Sequence, residues 1–167
     1  VLPLVAISSG QTKDMGTITL VKATKTIKGT VKRADGRAIT NAYINAWKKD
    51  SQANIQTRTD SQGNYTLLVT GGYWEVGINP VPQTADWAYN QPPQTALFSD
   101  DTGTEEKTIN FTVLTADSTI TGKVLRPDGK PMPADTIFAE LRKSDGSFGF
   151  GAPADANGLF RVNVPAG

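Results

Sequence analysis

One pattern occurs twice in this chain, a whole domain apart. Thr26, Ile27, Gly29, Val31, Arg33, Asp35 and Gly36 recur as Thr119, Ile120, Gly122, Val124, Arg126, Asp128 and Gly129, displaced by 119 − 26 = 93 residues. Further on, Asp60, Gly63 and Tyr65 are answered by Asp155, Gly158 and Phe160 at a displacement of 155 − 60 = 95 residues. A loop longer by 95 − 93 = 2 residues reconciles the two figures. Self-similarity at a fixed spacing signals like supersecondary units, so the 167 residues divide into two small cores rather than one large one.

Within each unit the hydrophobic period is two. Ile27, Gly29 and Val31 alternate with Lys28, Thr30 and Lys32, and Tyr65, Leu67 and Val69 alternate with Asn64, Thr66 and Leu68. That alternation marks strands with one buried face. Ala42, Ile44 and Ala46 alternate with Tyr43, Asn45 and Trp47 in a strand whose inward set is left open. Asp35-Gly36 and the stretch from Asp60 to Gly63 are turns, because aspartate bonds back to the backbone and glycine accepts a positive φ. Further strands are expected at 17–22, 56–59, 73–78 and 107–114, the last with Ile109, Phe111 and Val113 on one face. Residues 79–100, with prolines at 80, 82, 92 and 93, carry no strand signal beyond a few residues. A loop of that length is uncommon inside a compact domain and is often a contact surface. The second unit keeps the order through Ile137, Ala139 and Leu141 to Phe160, Val162 and Val164.

Composition narrows the chemistry. With 17 basic and 16 acidic residues the net charge is +1, which offers no basic face to a nucleic acid. Cysteine and histidine are both absent. Their absence removes disulfides, thiol nucleophiles, structural zinc of the usual kind and the commonest general base. No run approaches the ~20 apolar residues of a membrane-spanning helix. No signal peptide is visible at Val1 and no methionine opens the chain, so an interior segment or a processed product is expected.

The order Ile-x-Gly-x-Val, Asp-Gly-Arg or Asp-Gly-Lys-Pro, Thr-Asp-x-x-Gly-x-Tyr and Gly-Gly-Tyr resembles the carboxypeptidase regulatory-like domain. In the second unit Gly122, Asp128 to Pro131, Asp155, Gly158, Phe160 and Pro165 to Gly167 carry the same resemblance. It covers residues 17–78 and 107–167, with departures at Ala38, where the family favours proline, and at Ala154, where it favours threonine. The resemblance implies a seven-stranded β-sandwich of prealbumin-like topology without catalytic residues, acting as a structural or binding unit. The expected architecture is therefore all-β, with tandem Ig/prealbumin-like sandwiches. Residues 1–22 read as closing strands of a preceding unit, 23–116 as a complete repeat with the insertion 79–100, and 117–167 as a partial second repeat.

Where the first unit continues past Thr70-Gly71-Gly72 into further strands, the second reaches Pro165-Ala166-Gly167. An open sheet edge and apolar face are costly and prone to aggregation. Val1, Leu2, Leu4, Val5 and Ile7 read as a strand without a domain of its own, and Phe160, Val162 and Val164 as the face it would complete. Either a long polypeptide supplies the missing strands or separate chains donate them head to tail, a contact that propagates into a filament. The expected function is a structural repeat of an extracellular filament or cell-surface stalk, with neighbouring copies or repeats as partners. The alternative is an accessory module of a secreted enzyme or adhesin, binding polysaccharide or a host surface. Trp74, Trp87 and Tyr89, on or beside the insertion, are its candidate contacts.

Asp100, Asp101, Glu105 and Glu106 include the carboxylates that a hydrolytic acid pair would need, but their clustering beside Gly103 reads as a solvated turn, and Asp100-Asp101-Thr102-Gly103 lacks the regular alternation of oxygen ligands of a calcium loop. Asn64-Tyr65-Thr66 and Asn110-Phe111-Thr112 match the glycosylation acceptor pattern. Lys28 and Lys32 read as solvent-face lysines rather than cross-linking ones. No catalytic residue, cofactor or metal is assigned.

Overall fold

Alternation of apolar and polar residues becomes alternation of burial. The computed structural model describes residues 6–17, 19–51, 53–79, 85–89, 91–132, 137–142, 144 and 150–165. Its elements are all strands: β1 (Lys25–Arg33), β2 (Tyr43–Lys48), β3 (Asn54–Arg58), β4 (Asn64–Val69), β5 (Gly72–Ile78), β6 (Trp87–Ala88), β7 (Gln94–Phe98), β8 (Glu105–Thr108), β9 (Phe111–Thr115), β10 (Ser118–Lys123), β11 (Phe138–Leu141), β12 (Phe150–Pro153) and β13 (Leu159–Val164). One sheet has the order β4-β1-β9-β6, with β8 also paired to β1, and the facing sheet has the order β3-β2-β5-β7. Ile27, Val31, Leu67, Val69, Phe111 and Val113 from the first sheet meet Ile44, Ala46, Trp74, Val76, Ala96 and Phe98 from the second in one apolar core. This is an all-β sandwich.

The open question about β2 is settled by that packing. Ala42, Ile44 and Ala46 are fully buried, while Tyr43 and Trp47 are half-buried on the other face. There the Arg58 guanidinium covers the Tyr43 ring at 3.9 Å, and Trp47 Nε1 donates to Glu75 Oε2 at 2.8 Å. Among the described residues nine strands build the sandwich, where the resemblance implies seven. The insertion contributes β6 and β7, so the expectation of no strand there is corrected. Pro92 and Pro93 hide a short alternating run in which Ala96 and Phe98 point inward. The insertion is also tied down at Arg33, whose guanidinium pairs with the Asp86 carboxylate and donates to the Asp86 carbonyl. The expected closing strand is present in two pieces, β8 and β9.

The break between those pieces explains Gly29. β1 pairs in parallel with β8 over Lys25–Lys28 and with β9 over Val31–Arg33. Between the two ladders Ile109 N donates to Lys28 O at 2.8 Å, and Asn110 Oδ1 accepts from Thr30 N at 3.0 Å and from Thr30 Oγ1 at 3.2 Å. The Ile109 carbonyl turns inward and accepts the Tyr65 hydroxyl at 2.8 Å, satisfying a buried donor and a buried acceptor together. A Cβ on Gly29 would overlap that carbonyl. The glycine therefore makes room for a backbone, as glycine inside a strand often does.

Burial, with the nearby Tyr89 hydroxyl as a lesser cause, pushes the Tyr65 hydroxyl well above its ordinary range, and burial pushes Tyr89 up to about 12. Above pH ~10 an unfolded tyrosine releases its proton while the folded one keeps it, so the unfolded chain binds fewer protons and stability falls as pH rises. For Tyr65 the expected slope approaches ~1.4 kcal/mol per pH unit. Urea midpoints taken between pH 9 and 11 test this, and Tyr65→Phe should flatten the profile.

The later strands form two antiparallel pairs, β10 with β13 and β11 with β12. Ala152, Ala154 and Val162 are buried there. Asn163 Nδ2 of β13 donates to the Ala85 carbonyl at 2.8 Å. Residues 17 and 19–22, expected as a strand, adopt no strand; Leu20 is 86% exposed and Val21 62%.

Candidate functional site

The turns of the two halves share a set of hydrogen bonds. Asp60 Oδ1 accepts from the backbone N–H of Gln62 and of Asn64, and Asp155 Oδ1 accepts from those of Asn157 and Leu159, all between 2.8 and 2.9 Å. The Asn64 N–H above all holds the Asp60 carboxyl below the usual carboxylate range. Val31 N donates to Gly63 O at 2.8 Å, and Val124 N to Gly158 O at 2.8 Å. Gly63 and Gly158 take φ of 78° and 73°, the left-handed region that glycine enters without strain. The small bridges Lys32–Ala38 and Leu125–Pro131 also correspond. Opposite Tyr65 stands Gly29, and opposite Phe160 stands Gly122.

The halves differ at one edge. β1 has β4 on one side and β8 with β9 on the other, whereas β10 has β13 alone as a ladder partner among the described residues. Burial follows. Ile27 is 0% exposed and its counterpart Ile120 43%; Val31 is fully buried and Val124 half-buried. An open groove with a largely apolar surface lies against the β10–β13 pair, lined by Thr121, Gly122, Lys123, Asp155, Leu159, Phe160 and Arg161. Unpaired strand edges with an apolar flank are templates for another strand.

Of the residues proposed for assembly, Val162 is buried, Phe160 and Val164 are half-buried, and Ile7 is 59% exposed. Val1, Leu2, Leu4 and Val5 lie outside the described residues. Trp74, Trp87 and Tyr89 are only 3%, 7% and 9% exposed and belong to the core of the first sandwich. Trp74 Nε1 donates to Thr70 O at 2.9 Å, and the Tyr89 ring meets Phe111 edge-on at 5.5 Å. Their ring faces are spent on packing, so they do not form the exposed stacking platform weighed from the sequence. Asn64 is exposed beside Asp60, while Asn110 spends its side-chain oxygen on the β1 break. Lys28 and Lys32 stand on the solvent side, Lys28 paired with Glu106.

The acidic loop holds a cation supplied by the chain itself, a feature that sequence reasoning missed. The Lys25 side chain is 2% exposed, and its ammonium donates to Thr102 O at 2.5 Å and lies 3.6 Å from Asp100 Oδ1. Asp101 Oδ1 accepts from Gly71 N at 2.6 Å. Hydrogen bonds from Thr102, with the Lys25 charge adding to them, hold Asp100 below the usual carboxylate range. The only sequence signal was that Lys25 precedes an apolar alternation in phase with Ile27. Among the described residues no three carboxylate, histidine or cysteine side chains gather as metal ligands.

The sequence comparison matches residues 26–80 to the carboxypeptidase regulatory-like domain. The comparison with curated proteins finds no match. Among solved structures, the Bacillus anthracis TIE protein is similar at 12% identity and TM-score 0.45, over 86% of this chain and 27% of that one. A streptococcal ancillary pilin is similar at 12% identity and TM-score 0.46, over 84% of this chain and 50% of that one. A DUF3823 family protein from Parabacteroides merdae gives 10% identity and TM-score 0.40, over 84% and 79%. The chain thus spans about a quarter of the first of these and half of the second. The matched residues 26–80 run from Thr26 of β1 past the end of β5 and include the Gly29–Tyr65 pairing, so this part of the chain is similar to a carboxypeptidase regulatory-like domain.

Proposed function

We propose that this chain is a non-catalytic structural module of an extracellular or cell-surface filament or stalk, in which like sandwiches follow one another in line. Residues 23–116 are one unit, 117–167 belong to the next and 1–22 to the one before. The observation that carries the reading is the recurrence of turns, glycines and bridges from β1 and β4, with the same main-chain bonds at the turns, in β10 and β13. Only Ala116 and Asp117 separate β9 from β10, so one unit passes directly into the next. Units that contact only their neighbours stabilise a line roughly additively. Burial of Trp74, Trp87 and Tyr89 gives no support to polysaccharide stacking. Immunogold labelling of intact source cells with antibodies to residues 23–116 tests the proposal. Label on structures extending beyond the cell boundary is expected; label confined to the cytoplasm would overturn it.

A further inference from the structure

We propose that residues 85–89 act as a splint that holds β10 and β13 in a fixed direction from the first sandwich, so that the two-residue link at Ala116 and Asp117 does not work as a hinge. The inference goes beyond the reading of units in line, since it says what keeps the joint between two of them stiff.

Relative motion is the ordinary behaviour of two units that share little surface, and a short link by itself does not prevent it. Here the link is gripped from the insertion. β6 pairs with β9 by setting Trp87 opposite Thr115 and Ala88 opposite Leu114, the last residues before the link. Ala116 N then donates to Asp86 O at 3.0 Å. One residue earlier in the insertion, the Ala85 carbonyl accepts from Asn163 Nδ2 of β13 at 2.8 Å. Adjacent carbonyls therefore hold the link and the second half, and rotation at Ala116 or Asp117 would have to break the second of these ties.

The splint has a firm base. Ala85 packs against the first core, Trp87, Ala88 and Tyr89 are buried, and the Arg33 guanidinium both pairs with the Asp86 carboxylate and donates to Asp86 O. Its far contact is aimed in advance. Asn163 Oδ1 accepts from Thr119 Oγ1 at 3.0 Å and from Arg161 Nε at 3.3 Å, while Arg161 Nη2 donates to Thr119 Oγ1 at 3.1 Å. With its oxygen engaged on its own sheet, the Asn163 amide presents its nitrogen to the insertion, and little side-chain freedom is lost in making the contact.

The repeat departs from itself at this contact. Asn163 pairs across its ladder with Thr119, and the matching pair in the first half is Leu68 with Thr26, at displacements of 163 − 68 = 95 and 119 − 26 = 93 residues. Leu68 is exposed and its side chain has no polar atom with which to make such a tie. The halves agree at their turns, where each fold needs it, and differ at the outward position of β13 that meets the insertion.

The chain has no native cysteine, so spin labels attach only where cysteine is introduced. Gln56→Cys and Lys130→Cys place one label on an exposed residue of each half, and double electron-electron resonance should give a single narrow distance distribution. Asn163→Leu, which installs the residue of the first half, should broaden that distribution about twofold. The urea midpoint of the first sandwich, which holds all three tryptophans and is read by their fluorescence, should stay unchanged. Thr119→Val, which removes only the hydroxyl that orients Asn163, should broaden the distribution less. Hydrogen exchange of the β10 and β13 amides shows whether the second half stays folded; if Asn163→Leu unfolds it, Thr119→Val decides. A broad distribution before either substitution, or one that stays equally narrow in the folded variants, would overturn the splint. Surface labelling as expected above, with either of those results, would leave the array standing and remove only its stiff joint.

Discussion

Gly29→Ala is expected to destabilise the first sandwich by about 3–6 kcal/mol, enough to unfold a large share of a domain of ordinary stability. The added methyl group meets the Ile109 carbonyl, a backbone atom fixed between two ladders, so relief requires β8 and β9 to move away from β1. Displacing that carbonyl also breaks its bond from the Tyr65 hydroxyl and leaves two buried polar groups unpaired. Gly122→Ala is the internal control. There the methyl group meets the Phe160 ring, a half-buried side chain able to rotate aside, and the expected cost is below about 1 kcal/mol. Urea denaturation followed by fluorescence of the buried Trp74 and Trp87 reads the first effect. Equal losses for the two variants would refute this account of Gly29.

Phe111→Ala is expected to cost about 3–5 kcal/mol, the range for emptying a large aromatic site in a packed core. The ring is 1% exposed, tilted 30° against Tyr65 at 6.1 Å and edge-on to Tyr89 at 5.5 Å. It therefore joins the closing strand, the β4 strand and the segment after β6. Its loss should raise the urea sensitivity of the fold and speed hydrogen exchange in β6 and β9. Leu114→Ala, three positions on and 42% exposed, should change the midpoint little. A Phe111→Ala midpoint within error of Leu114→Ala would show that the insertion is held by something other than this aromatic cluster.

Local patterns were legible wherever the physics was local. Asp60 and Asp155 fold back on the next few N–H groups, and Gly63 and Gly158 take the positive φ those turns need, so the spacing alone announced both hairpins. Ile27 and Val31 were readable as inward because their neighbours are polar. The acidic loop, by contrast, gave no sign that an ammonium from residue 25 enters it, since 75 or more residues separate Lys25 from Asp100 and Thr102. Trp74, Trp87 and Tyr89 gave no sign of which of their surfaces would be covered.

The sequence by itself determined the repeat, the turns, the all-β class and one buried face per strand, because each depends on backbone preferences and periodicity within a few residues. Tertiary structure alone decided that Ala42, Ile44 and Ala46 turn inward, that the insertion yields β7, and that β1 is closed by a parallel strand while the described edge of β10 stands open. Those outcomes depend on which distant strand arrives at an edge or a face, and alternation along one strand carries no record of its partner.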